Sequence, residues 1–224
     1  MADVLVLQHQ DDAPPGLLAG VLSASASTTM RTVRVDAGAL PPPDGARAIV
    51  VLGSDASLVG GGSAAWVAPE VAWVRRAALA GVPVLGICFG AQVLAAALGG
   101  AVHRMPAPQT GWMSVPSIDI RTLPSGPWLS WHEDAVTPPP NARVLARDEH
   151  CVQAFAAGPH LGVQFHPEVT PAIVDGWIAA DGRDLADRVY DPEQLRAQTG
   201  AQAQRAAKDA LRLFSRWLAF SAGG

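Results

Sequence analysis

Cysteine is scarce in this chain: Cys88 and Cys151 are the only two in 224 residues. Two thiols in unlike contexts do not make a disulfide framework, and a reduced, cytoplasmic setting is expected. Cys151 reads as a small buried residue near a strand. Charge is scarce too. Charged residues make up 16%, the formal net charge is −4, and no long run carries one sign. A nucleic-acid binder needs a basic stripe to neutralise phosphate, so nucleic acid is not an expected partner. Long apolar runs are missing as well. No window holds the ~18 uninterrupted apolar residues of a membrane span. Met1–Gln8 is apolar but short, with Asp3 near its start, unlike a signal peptide. His9 and His103 have no His or Cys neighbours at metal-ligand spacing. Gly60-Gly61-Gly62 leads into no Gly-Lys-Ser/Thr and is no phosphate loop. No metal and no cofactor are expected.

What is present is core. Hydrophobic residues are 49% of the chain, a globular composition with material for one large core. Asp3–Gln8 reads as a buried strand. Pro14–Ser25 can form a helix with prolines at its first turn. Thr32–Val35 and Arg47–Gly53 read as strands, Trp66–Ala80 as a helix stopped by Gly81, Val82–Ile87 as a strand and Phe89–Leu98 as a helix. Strand–helix alternation of this kind predicts a mostly parallel α/β sheet with helices on both faces. Val102–Asp148 is rich in Pro, Gly and Trp and reads as irregular strands and loops, with β-like runs at Trp112–Ile120 and Arg143–Arg147. Val152–Phe155 and His160–Phe165 read as paired strands bent around Ala157-Gly158. From Pro171 the chain turns helical and polar. Ala206, Ala210, Leu213, Trp217 and Phe220 form one stripe of an amphipathic closing helix. A single domain over residues 1–224, with a helical extension from about residue 171, is expected.

Chemistry concentrates in three runs. In Val84-Leu85-Gly86-Ile87-Cys88-Phe89-Gly90-Ala91-Gln92 a buried strand meets a cysteine and passes straight into a helix. That is the form of a nucleophile elbow, with Gly86 and Gly90 where a β-carbon would crowd the turn. The helix N-terminus favours negative charge on a thiol placed there. In Gly162-Val163-Gln164-Phe165-His166-Pro167-Glu168 a strand delivers a histidine, and a carboxylate follows two residues later on the same face. Pro167 keeps His166 extended. His166 can then reach a thiol while Glu168 orients the ring, as in a Cys-His-acid triad. Alone, the first run also suits a packed thiol and the second a strand end with a solvated glutamate. Together they point to a cysteine-dependent amide hydrolase. The third run is Ser130-Trp131-His132-Glu133-Asp134.

GICFGAQ followed by GVQFHPE resembles the class I glutamine amidotransferases, specifically stand-alone ones similar to the amidotransferase half of GMP synthase. Looser likeness extends through GVPVLGICFGAQVLAAALGGAV and SWHEDAVTPPP. The resemblance implies a flavodoxin-like three-layer α/β fold. It implies attack by Cys88 on the glutamine side-chain amide, His166 as base and acid, and Glu168 as third member. It implies a γ-glutamyl thioester, glutamate as product, and ammonia for a synthase or synthetase partner. It places oxyanion-hole N–H groups at Phe89 and, from the loop that is Gly-Gly-Pro in the family, at Ser54 of Gly53-Ser54-Asp55. Ser54 and Asp55 depart from that pattern, and the segment also reads as a plain strand-to-loop turn. Gln92 matches a substrate-contacting glutamine, or is simply a first-turn helix residue. The third run resembles the family's Ser-His-Gly-Asp segment, whose backbone holds glutamine. This makes Gly53, Gln92, His132 and Glu133 candidate substrate-binding residues, with Glu133 where Gly is usual and His132 expected in a loop or pocket wall. A hydrolase of γ-glutamyl peptides or amines would use the same apparatus. A non-catalytic module that kept the fold would have no need of it.

Overall fold

Val4 and Val6 face one way from the first strand and Leu5 and Leu7 the other, and all four are buried. A strand apolar on both faces belongs inside a parallel sheet covered by helices on each side. The computed structural model describes residues 2–24, 28–60, 64–118, 123–183 and 189–222. Its strands are β1 (Ala2–Gln8), β2 (Thr28–Arg34), β3 (Ala48–Val51), β4 (Val84–Ile87), β5 (Ala101–Met113), β6 (Trp128–Thr137), β7 (Arg143–Arg147), β8 (Val152–Ala157) and β9 (His160–Val163). Its helices are α1 (Gly16–Ser23), α2 (Val67–Leu79), α3 (Phe89–Ala97), α4 (Pro171–Ala180) and α5 (Pro192–Ala222).

Seven strands form one sheet in the order β2-β1-β3-β4-β9-β8-β7. The pairs from β2 through β9 are parallel, while β8 and β7 close one side through antiparallel pairs. The chain moves outward from β1 to β2, then returns to β3 on the far side of β1. That reversal lies between β1 and β3, where open α/β sheets leave a crevice beyond the strands' carboxyl ends. Right-handed crossovers in opposite directions put helices on opposite faces. One face buries Val4, Val6, Val50 and Leu85 with residues of α1 and α5. The other buries Leu5, Leu7, Ile49 and Val51 with residues of α2 and α3. The expected mostly parallel sheet with helices on both faces is what the chain forms.

Two expectations need correction. Val102–Asp148 is not irregular: β5 and β6 pair antiparallel as a separate two-stranded sheet. Pro106 and Pro108 fall where the register shifts between Arg104 and Gln109. A bulge accepts prolines that a regular ladder rejects, so the run lacked a clean strand pattern. The closing helix does bury Ala206, Ala210, Leu213 and Trp217, but Phe220 is 66% exposed. At 31 residues the helix is about 46 Å long, roughly twice a seven-residue strand, so its end outruns the sheet. Ser25, Gly61, Gly62 and Ile120, at the edges of expected features, lie outside the described residues. Among the described residues no helix is long and apolar enough to cross a membrane.

Candidate active site

Cys88 sits where β4 ends and α3 begins, with φ 51° and ψ −109°. Few residues other than glycine take a positive φ, and such strain held by its surroundings clusters at functional sites. The two flanking glycines are what allow the turn. A β-carbon on Gly86 would lie 2.3 Å from the Gly90 carbonyl oxygen, and one on Gly90 would lie 2.0 Å from that of Val51. The Cys88 N–H donates to the Val163 carbonyl at 2.8 Å, tying the elbow to β9. The Phe89 N–H is in the first turn of α3, where backbone donors have no partner within the helix.

His166 follows β9 and is held by its own N–H, which donates to the Leu129 carbonyl on β6 at 2.8 Å. Its Nδ1–H donates to Glu168 Oε1 at 2.8 Å, and both side chains are buried. The Glu168 carbonyl accepts from the Leu17 N–H at 2.8 Å, so the start of α1 anchors the carboxylate's backbone. Burial works against a charged His166 ring. The Glu168 carboxylate, and after it the Cys88 sulfur, more than offset this and hold the ring's pKa well above the usual histidine value. The indole of Trp177 on α4 meets the imidazole edge-to-face at 4.8 Å.

These groups open into a cleft of 390 Å³ at the carboxyl ends of β1, β3, β4 and β9. Gly53, Ser54, Cys88, Gln92, His132, Glu133 and His166 all line it. The three runs that looked separate in sequence thus converge on one place. Glu168 stands behind His166, and the Phe89 side chain is turned into the core. Ser54 does not have a positive φ, so its loop does not need the glycine that the family pattern has there.

His132 lies in β6, not in a loop. Its Nδ1–H donates to the Asp134 carbonyl at 2.9 Å, and burial lowers its pKa to about 4. It is neutral at pH 7, with a buried Nε2 that has no hydrogen-bond partner among the described residues. Glu133 pairs with Arg104 across the β5–β6 hairpin and lies 3.9 Å from Arg183, so its carboxylate serves the rim of the cleft. Gln92 Nε2 points toward the Asp134 carbonyl at 3.5 Å.

Several residues that were not candidates in sequence also gather around the sulfur and the cleft. Gln164 Nε2 donates to Cys88 Sγ at 3.7 Å, and the Trp131 carbonyl is 3.7 Å from the same atom. Gln164 is two residues before His166, so strand parity could have put it on the same face. Gln10, just past β1, accepts from the Asp55 N–H at 2.9 Å. Asp134 Oδ2 accepts from the Ser57 hydroxyl at 2.5 Å, and Oδ1 is 3.1 Å from Arg104 Nε. Only the fold brings these together.

Residues 26–181 match the family model described as glutamine amidotransferase class-I. The chain belongs to the class-I glutamine amidotransferase family. It is 35% identical over 144 residues to the glutamine-hydrolysing GMP synthase of Aeropyrum pernix, a match covering 58% of this chain and 28% of that protein. It is 42% identical over 96 residues to a glutamine-hydrolysing GMP synthase subunit from Ignicoccus hospitalis, covering 39% of this chain and 51% of that relative. The matches thus span about a quarter of one relative and half of the other. Among solved structures, a glutamine amidotransferase from Thermotoga maritima superposes with a TM-score of 0.87 at 23% identity, covering 97% of this chain and 98% of that one. One from Methylobacillus flagellatus gives 0.86 at 23%, covering 98% and 95%. At that identity the two superpositions establish the amidotransferase fold.

Proposed function

We propose that this amidotransferase chain hydrolyses the side-chain amide of glutamine through a γ-glutamyl thioester on Cys88, with His166 as base and acid and Glu168 as its orienting partner. The observation that carries the reading is the strained Cys88 at the start of α3, with the His166–Glu168 pair closing on its sulfur. The sulfur attacks the amide carbon and charge passes to the carbonyl oxygen. The N–H groups of Phe89 and Ser54 receive that charge, the role such donors play in acyl transfer. His166 gives its proton to the departing nitrogen and ammonia leaves. Water, deprotonated by the same ring, attacks the thioester; glutamate leaves and Cys88 is restored. Gly53, Gln92, His132 and Glu133 are proposed to hold the substrate. The GMP synthase relatives suggest an ammonia-accepting synthase in trans as partner.

The test is ammonia release from glutamine by the wild type and by Cys88→Ala. The variant should release none. Equal release by both proteins sinks the assignment.

A second reading keeps the thioester and changes the leaving group. Asp12 and Asp55 are exposed at the cleft and suit a cationic amine. Faster turnover of γ-glutamyl amines than of glutamine would favour a conjugate hydrolase.

A further inference from the structure

Behind the loop that follows β3 lies a buried polar pair that the thioester chemistry does not itself use. His9 sits just past the end of β1. Its ring stacks on Trp66 and meets Phe89 edge-on, each at 5.0 Å. Its Nδ1 is 3.0 Å from the Gly53 carbonyl oxygen. A carbonyl only accepts, so Nδ1 carries the hydrogen and donates it. Its Nε2 is 2.9 Å from Glu70 Oε1, and both side chains are fully shielded from solvent. One proton serves that contact whichever atom holds it, so the pair is neutral overall. Glu70 Oε2 has no partner among the described residues. A buried pair of this kind is weak evidence for stability, since apolar residues of similar volume often do as well. What it does fix is the direction of one peptide.

In a trans peptide the N–H points opposite to the C=O. A Gly53 carbonyl held toward His9 therefore turns the Ser54 N–H away from His9. Gly53 itself lies against the reacting groups: a β-carbon there would sit 3.1 Å from His166 Cε1 and 3.9 Å from Cys88 Cβ. The next two N–H groups of the loop are engaged. Asp55 donates to Gln10 Oε1 at 2.9 Å, and Ala56 donates to Ser54 Oγ at 3.1 Å. The Ser54 N–H, like that of Gly53 on the preceding peptide, has no partner among the described residues.

We propose that His9, backed by Glu70, is a positioning residue that holds the 53–54 peptide so that the Ser54 N–H faces the oxygen of an acyl group forming on Cys88. The inference rests on the Cys88 acyl-transfer reading above. It also accounts for the departure from Gly-Gly-Pro. Gln10 holds the Asp55 N–H where a proline would have none, and His9 supplies the orientation.

The test uses the intact chain with p-nitrophenyl acetate as a generic acyl donor and iodoacetamide as an alkylating agent for Cys88. Acyl transfer builds charge on a carbonyl oxygen, whereas displacement of iodide does not. His9→Phe keeps a stacked ring and loses the donor. His9→Asn restores a donor near the Nδ1 position. His9→Phe should slow acylation of Cys88 about tenfold or more and leave alkylation unchanged, and His9→Asn should recover most of the loss. If the Phe variant does not fold, Glu70→Ala must show the same split. Unchanged acylation, or equal slowing of both reactions, overturns the proposal. A wild type that the ester acylates but that releases nothing from glutamine removes the glutamine reading alone; the ester comparison still decides this one.

Discussion

Gly90→Ala adds one methyl group at the tightest point of the elbow. Its β-carbon would lie 2.0 Å from the Val51 carbonyl oxygen and 2.6 Å from the carbonyl carbon. Comfortable contact begins near 3.5 Å, so β3 and the first turn of α3 must separate by roughly 1.5 Å. Both are backbone, and no side chain can swing aside. Overpacking of this kind destabilises by about 3 kcal/mol, offset little by the roughly 1 kcal/mol that alanine gains over glycine in a helix. The net loss of about 2 kcal/mol should lower the melting temperature of a chain of this size by about 4–8 °C. The move also carries Cys88 away from His166, so alkylation of the thiol should slow. Gly200→Ala in α5 is the control. Nothing lies within 4 Å of its added β-carbon, so the helix gain stands alone and stability should rise by about 0.5–1 kcal/mol. Thermal melts and iodoacetamide rates on both variants decide the matter. A Gly90→Ala protein with wild-type stability and rate refutes the reasoning, because the elbow would then not depend on that contact.

Other outcomes follow from the site. Burial, aided by Asp148, pushes the Cys151 thiol up to about 12, so a glutamine-like electrophile should label Cys88 and leave Cys151 unmodified; mass mapping to Cys151 would reverse that assignment. Glu168→Gln removes the main charge holding the His166 pKa up, so the ring should lose its proton at a lower pH, visible as a shifted NMR titration of its Cε1–H. That variant should also lose at least about 100-fold in glutamine turnover, as when a triad acid becomes an amide; unchanged turnover would discharge Glu168 from its role. His132 has a folded pKa of about 4 against 6.5 for the free side chain. The unfolded chain therefore binds more protons between those values. Stability is full above about pH 6.5 and falls by roughly 3 kcal/mol as pH drops to 4. His132→Gln should remove that part of the acid slope in denaturant titrations, and an unaltered slope would show that His132 is not buried as described.

The local features of the site were legible because each is written in consecutive residues. A strand running into Cys88 and then a helix specifies an elbow through Gly86 and Gly90 alone. His166 and Glu168 share a face through strand parity. The strand–helix alternation was equally readable, because burial on both faces leaves continuous apolar runs. The β5–β6 hairpin was not readable, since Pro106 and Pro108 sit in a bulge whose register depends on β6. Phe220 was placed on the apolar stripe by period alone, but only the length of α5 relative to the sheet shows that the stripe ends first.

By itself, then, the sequence determined the parallel α/β class and the candidate nucleophile with its base and acid, because strand alternation, helix period and tight turns act over a few residues. The tertiary structure decided what surrounds them. His9 meets Gly53 across 44 residues and Glu70 across 61. Gln10 meets Asp55 across 45, and Arg104 reaches Glu133 across the hairpin. Contacts at that separation have no periodic signature, because they form only when the sheet gathers the carboxyl ends of β1, β3 and β4 at one edge. Ser54 changed most in that light. In sequence it was a departure from pattern; in the fold it is a loop residue whose N–H has no partner among the described residues.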